Sequence, residues 1–402
     1  MRLLRLFLLL LLVIAPASAQ DKRTARPEIG KPVQEAQQLL KQKKFKEALA
    51  RLAQADKVAD ESPYERYIIA ATRAAIELDA GDEPAAIDAL EAVLATGVPS
   101  PGETQQRLAV LVQLEFRAKD PQKTIAIAER YIKAGGSEDE PRRLMAQAYF
   151  IEKDFASSAK VFRDLVASQQ RAGKLPSEDI LLTLAACEFE QKNNTGFAAA
   201  LEDLVSYYPK PRYWSDLLLA VAKQPGFAKR LTLDLDRLRL ATGAIDQPAQ
   251  LVEAAELALA EGFPGDAKAF LAKGFGAGAF GTGATADRPK RLADMAARQA
   301  SDDVKLLPQA ATEAASASDG TAWEKLGEAE ASYGDGAAAI AALEKGIAKG
   351  GLKYPDDAKL HLGMAYLQAG QAAKAKSLFA EITGADGTRD LARLWLIARG
   401  VK

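Results

Sequence analysis

The sequence predicts an all-α chain built as a string of short helical hairpins, and three observations predict it. Apolar residues recur with helical period: "AAIDALEAVL" from Ala85 and "AKVFRDLV" from Ala159 place them at i, i+3, i+4 and i+7, while almost nothing alternates with period two. Gly, Asp, Asn or Pro joints break the pattern into stretches of about 12 to 15 residues. The hairpins also recur at a nearly fixed interval, with Gly327 and Gly363 in matching places 36 positions apart.

Taken in order, the chain opens with a leader. Arg2 and Arg5 give a basic start, Leu6 to Ile14 an apolar run, and Ala17-Ser18-Ala19 a small-residue cleavage signature, so residues 1–19 read as a signal peptide cleaved before Gln20. The run is short for a bilayer span, which needs about 20 residues. No later stretch is apolar enough to stop transfer, and the residue directly after the cleavage site is Gln20 rather than a cysteine that could carry a lipid. The expected compartment is the periplasm. Residues 20–32 are read as a mature N-terminal segment.

Residues 33–209 read as a first array, marked by Ala36, Phe45, Ala48 and Ala55, then Ala74, Gly81, Ala86 and Leu90, then Ala146, Tyr149, Phe155 and Phe162. Residues 210–318 are more degenerate. They hold one hairpin pattern (Leu251, Ala255, Gly262, Ala267, Leu271), a glycine-rich loop over 274–285, and an alanine-rich helical stretch that Pro308 interrupts. Residues 319–402 carry two clear units: Trp323, Leu326, Gly327, Gly334, Ala339 and Leu343, then Leu362, Gly363, Tyr366, Gly370, Ala375 and Phe379. A last helix offers Leu391, Leu394, Trp395 and Ala398 to cap the final unit.

These residues resemble the tetratricopeptide repeat (TPR) family, whose first helix carries W-x2-L-G-x2-Y and whose second carries small and aromatic residues at the helix crossing. Glu77, Glu115 and Glu330 stand at the usual tyrosine position, and Asn193-Asn194 marks an insertion. The resemblance implies a right-handed α-solenoid of stacked antiparallel hairpins, about nine or ten units on a 34-residue repeat. Joints at Tyr208-Pro209 and Tyr354-Pro355 fit its habit of proline between repeats. It also implies a concave wall of first helices that binds a partner. In registers set on Val112, Ala146 and Ala186, that wall presents Gln113, Phe116 and Arg117, then Arg143, Gln147 and Phe150, then Thr183 and Glu190.

Composition narrows the function. Formal net charge is −1, and removing Arg2 and Arg5 with the leader makes it −3, against a nucleic-acid binder. One cysteine, Cys187, excludes an intramolecular disulfide; it is read as packing quietly, or as pairing with another chain from a groove-facing place. One histidine, His361, and one cysteine cannot make the usual zinc sets, and His361 is read as a surface or half-buried packing residue. Asp302-Asp303 and Asp356-Asp357 are read as helix caps. "GFGAGAFGTG" from Gly274 contains G-x-G-x-x-G, but no strand precedes it, so it reads as a helix exit with Gly274 as left-handed C-cap rather than a dinucleotide loop. No nucleophile elbow or phosphate loop occurs.

The expectation is a non-enzymatic periplasmic scaffold that binds a protein or peptide of the envelope, without cofactor, metal or nucleic acid. A solenoid that binds a small solute or glycan, and a cell-wall-active enzyme, stay open as alternatives.

Overall fold

The structure, a computed structural model, describes residues 23–245 and 247–401; the expected leader lies outside them. The chain divides into two compact units, one ending at Lys174 and the other running from Leu175. That boundary falls inside the stretch the sequence reads as one array.

The first unit is four hairpins: α1 (Pro27–Lys41) with α2 (Phe45–Leu52), α3 (Pro63–Ala80) with α4 (Glu83–Ala95), α5 (Pro101–Arg117) with α6 (Pro121–Lys133), and α7 (Asp139–Ile151) with α8 (Phe155–Arg171). The first helix starts inside the segment assigned to a mature N-terminus, because Ile29 and Val33 are buried against its neighbours. First helices pack on the next first helix, α1 on α3 and α5 on α7, so each hairpin hides the apolar stripe it cannot bury alone. Tyr131, Leu111 and Leu114 are fully buried between them.

The second unit contains the hairpins α9 (Glu178–Glu190) with α10 (Asn194–Tyr207), α13 (Pro248–Glu261) with α14 (Pro264–Gly276), α16 (Thr321–Ser332) with α17 (Gly336–Lys349), and α18 (Pro355–Gln368) with α19 (Ala372–Phe379). Between them stand α11 (Pro211–Ala222), α12 (Thr232–Thr242) and α15 (Ala284–Ser316), and α20 (Thr388–Ala398) ends the unit.

One turn recurs in all eight hairpins among the described residues. A left-handed residue (Lys43, Gly81, Lys119, Lys153, Lys192, Gly262, Gly334 or Gly370) ends the first helix. The next residue donates its backbone N–H to the carbonyl five positions back, as Asp120 does to Glu115 and Asp154 to Tyr149. Two of the four carbonyls that the helix end leaves over are bonded, and the chain changes direction, within two residues. In five hairpins that second residue is Asp82, Asp120, Asp154, Asn193 or Asp335, whose side chain also caps the second helix. Glu77, Glu115 and Glu188, one turn before the left-handed residue, are buried. Burial pushes the carboxyls of Glu77 and Glu115 up from their usual range.

Three expectations are corrected. The helix preceding the glycine-rich loop runs on to Gly276, so Gly274 is helical, not a C-cap; Gly278, Gly281 and Gly283 take the left-handed conformations. Gly274 is required for a different reason: the Phe280 ring folds back onto it, and a Cβ there would lie 2.2 Å from that ring. Pro308 does not interrupt the following stretch, which is one helix of 33 residues with both Pro289 and Pro308 inside it. Asp302 and Asp303 therefore lie mid-helix, Asp302 paired with Lys305 and Asp303 accepting the Tyr333 hydroxyl.

The last helix does more than cap. Leu391, Leu394 and Trp395 are buried, and α20 packs on α18 and α19 and also back on α10 and α12. Arg393 reaches Glu202 at 3.0 Å, and the backbone N–H of Ala228 donates to the Asp386 carbonyl at 2.8 Å. The Phe227 ring sits where a Cβ on Gly387 would be, 2.5 Å away. The helices from α12 to α20 thus close on themselves.

Candidate functional site

The first-helix residues expected to face a partner fall into two groups. Gln113 and Phe116 on α5, and Gln147 and Phe150 on α7, are half-buried and hold the same places in their hairpins, six and three residues before the left-handed lysines 119 and 153. Phe116 leans on the core, while Phe150 meets Phe155 edge-on at 5.4 Å. Arg117 is exposed and pairs with Glu83 at 2.8 Å; Arg143 pairs with Glu140 at 2.7 Å.

In the third register the structure shifts the alignment by one residue. Lys192 is the left-handed residue, which puts Ala185 rather than Ala186 opposite Val112 and Ala146. The counterpart of Phe116 and Phe150 is then Phe189, 64% exposed and 5.5 Å from the Phe197 ring, not Glu190. Thr183 instead bonds the Asp179 carbonyl within its own helix at 2.8 Å. Cys187 is fully buried and does not face a groove.

The largest surprise is a buried charged cluster in the second unit. The segment "LDLDRLRL" from Leu233 forms α12, and both Asp234 and Asp236 are buried there along with the leucines. Arg237 sits at the centre: its guanidinium reaches Asp234 at 2.7 Å, Asp266 on α14 at 2.7 Å and Glu328 on α16 at 3.1 Å. His361 on α18 lies between the same helices. Its Nε2 is 3.2 Å from Asp234, and its Nδ1 faces Glu328 at 3.4 Å and Glu324 at 3.8 Å.

Electrostatics follows from that geometry. Burial lowers the imidazole pKa, yet the carboxylates of Glu328 and Asp234 outweigh it and hold His361 up at about 9. Burial also opposes ionisation of Asp234, but His361 and Arg237 keep it down at about 2. Glu324 goes the other way: burial and the neighbouring carboxylates lift it to about 7 against the pull of His361. Beside the cluster, Arg230 donates to Asp357 on α18 and to Asp386 in the loop before α20, so Asp357 is a tertiary partner as well as a first-turn acid.

His361 is therefore no surface residue. The signal that could have found the cluster was charge on faces that must be buried: Asp234 and Arg237 within a leucine run, and Glu324 and Glu328 one turn apart on α16.

No family model matches the sequence, and no curated protein matches it. Among solved structures, one of Naa15/Naa10 bound to HypK-THB aligns with 91% of this chain and 59% of that chain, at 17% identity and a TM-score of 0.33. The chain thus spans less than two thirds of that relative's length. The P58(IPK) TPR domain aligns with 92% of this chain and 98% of that chain, at 14% identity and a TM-score of 0.23. The chain's own geometry carries the fold class: eight hairpins with one turn, small residues where helices cross, and first helix packed on first helix. The fold is an all-α, TPR-like array. Gly327 and Gly363 show the small-residue rule directly, since a Cβ on either would strike Leu343 at 2.5 Å or Phe379 at 1.9 Å.

Proposed function

We propose that this TPR-like chain is a non-catalytic adaptor which, after export to the periplasm, holds a protein or peptide partner of the cell envelope on the first-helix face of its first unit. The observation that supports this reading is the repeated Gln-x-x-Phe of α5 and α7, Gln113 with Phe116 and Gln147 with Phe150, on two helices packed side by side. Amides on such a face can pair with the backbone of an extended segment, and phenyl rings supply apolar area with few torsions to freeze. Arg117 and Arg143 stand on the same two helices, each paired with a neighbouring acid, and an acidic flank on the partner would engage them by exchanging those pairings. The export part rests on the basic, apolar and small-residue order of residues 1–19.

The test is selection of peptide ligands on the mature chain, followed by affinity measurement with Gln113→Ala and Gln147→Ala combined. Loss of about tenfold or more in affinity, worth roughly 1.4 kcal/mol, with an unchanged helical spectrum supports the face. Equal binding by the variant sinks it. Export has its own readout: protein recovered from envelope fractions should begin at Gln20, and retention of Met1 in the cytoplasm would end that part of the reading.

A further inference from the structure

We propose that the second unit carries a binding site for one first-row divalent transition-metal ion, of which zinc is the probe, formed by His361 Nδ1 with the carboxylates of Glu324 and Glu328. The site does not depend on the partner-binding face described above. His361 Nδ1 has a Glu328 oxygen at 3.4 Å and a Glu324 oxygen at 3.8 Å, and His361, Glu328 and the supporting Asp234 bring their ligand atoms within 4.8 Å of one another. Acidic neighbours alone would mean little in a charged cluster. The imidazole adds the independent observation: His361 is 10% exposed, and its buried Nδ1 has no hydrogen-bond partner.

The two sides of the ring divide the work. Nε2 lies 3.2 Å from Asp234, whose carboxylate is fixed in turn by Arg237 at 2.7 Å. A carboxylate that accepts Nε2–H leaves the lone pair of a neutral imidazole on Nδ1, the arrangement that usually backs a metal-ligating histidine. Nδ1 then points at Glu328 Oε1 at 3.4 Å and Glu324 Oε1 at 3.8 Å. Two ligands bound at about 2.0–2.1 Å in a tetrahedron lie about 3.4 Å apart, the separation Nδ1 already has from Glu328; Glu324, at 3.8 Å from Nδ1, completes the set by a side-chain rotation toward the ring. Glu324 and Glu328 are one helical turn apart and share a face of α16. Arg237 occupies the other oxygen of Glu328 at 3.1 Å, which orients the first for the ion.

Charge points the same way. Asp234, Asp266, Glu324 and Glu328 face one guanidinium and one imidazole. With the ring protonated and all four acids ionised, anions exceed cations by two; exchanging that proton for a divalent ion halves the excess. Binding therefore releases a proton from His361 and is weaker in acid. With one nitrogen and two oxygens from the protein, a fourth position is left for water.

The experiment uses the mature full-length chain, without a polyhistidine tag and stripped with a chelator, titrated by calorimetry with zinc chloride and separately with magnesium chloride. His361 is the one histidine of the sequence, so a nitrogen-15 spectrum of histidine-labelled protein reports on this ring alone. The expected result is one zinc per chain, displacement of the Nδ1 resonance rather than Nε2, little response to magnesium, and affinity at least roughly tenfold weaker in both His361→Gln and Glu324→Gln. Glu324→Gln serves if the histidine variant fails to fold. Failure to bind zinc below millimolar concentration, an unmoved Nδ1 resonance, or binding that magnesium matches and Glu324→Gln leaves intact overturns the site.

Discussion

The first unit is held by contacts between neighbours in sequence, whereas the second is tied by charged groups far apart along the chain. In the first, order comes from a turn repeated at every hairpin and from buried side chains such as Leu111, Leu114 and Tyr131. In the second, His361 meets Asp234 and Arg230 meets Asp357 across 127 positions, and Arg230 meets Asp386 across 156. The lesson is about how the two would fail. A local array loosens hairpin by hairpin, but a unit closed through buried charges must lose them together, because each ion is tolerable only while its partners stay.

The largest expected effect breaks the second unit at its centre. Asp234→Ala leaves Arg237 and His361 with less counter-charge in a dry interior, and should cost about 3–5 kcal/mol. Urea denaturation followed by tryptophan fluorescence would show it as a much earlier transition; a loss under about 1 kcal/mol would mean the cluster is wetter than it looks.

A second prediction concerns acid and the first unit. Glu65 on α3 is buried and accepts bonds from the Arg26 side chain and from the backbone N–H groups of Arg26 and Ser62. Bonding to Arg26, working against burial, holds its carboxyl down at about 2. A carboxylate with a lowered folded-state pKa lends stability that is complete above its unfolded value near 4.5 and lost as pH falls through 2. Amide exchange should therefore report α1 detaching between those limits, with Glu65→Gln removing most of the pH dependence. Protection of the α1 amides, taken relative to exchange of the unfolded chain at the same pH, that stays constant across that window would refute the assignment.

The smallest effect tests the repeated turn. Asp154→Ala removes the side chain that accepts from the Ser157 N–H at 3.0 Å, and should cost about 1 kcal/mol while leaving the second unit unchanged. A larger loss that spreads to the second unit's transition would contradict the local picture.

What was legible in the sequence follows the same division. Helical period, Asp and Asn after the left-handed residue, and proline at helix starts such as Pro63, Pro101 and Pro355 are local, so the hairpins could be read off. The register before Lys192 slipped by one although Lys119 and Lys153 take the same left-handed conformation; Asn193, read as part of an insertion, stands where Asp120 and Asp154 stand and caps α10. Phe280 on Gly274 and Arg237 among its carboxylates depend on chain segments meeting in space, and no period announces them. Counting one histidine and one cysteine addressed only metal sites rich in those residues, and passed over carboxylates that the fold brings to His361.

Closure of the second unit also bears on how such a protein can change over generations. An open run of hairpins with one turn geometry accepts the duplication or loss of a unit, since each newcomer needs only its neighbour. Helices α12 to α20 offer no such freedom: another hairpin among them would pull α20 away from α12 and leave Arg230 without Asp386. Growth of the lineage should be sought before Leu175, with the number of helices in the closed part held constant.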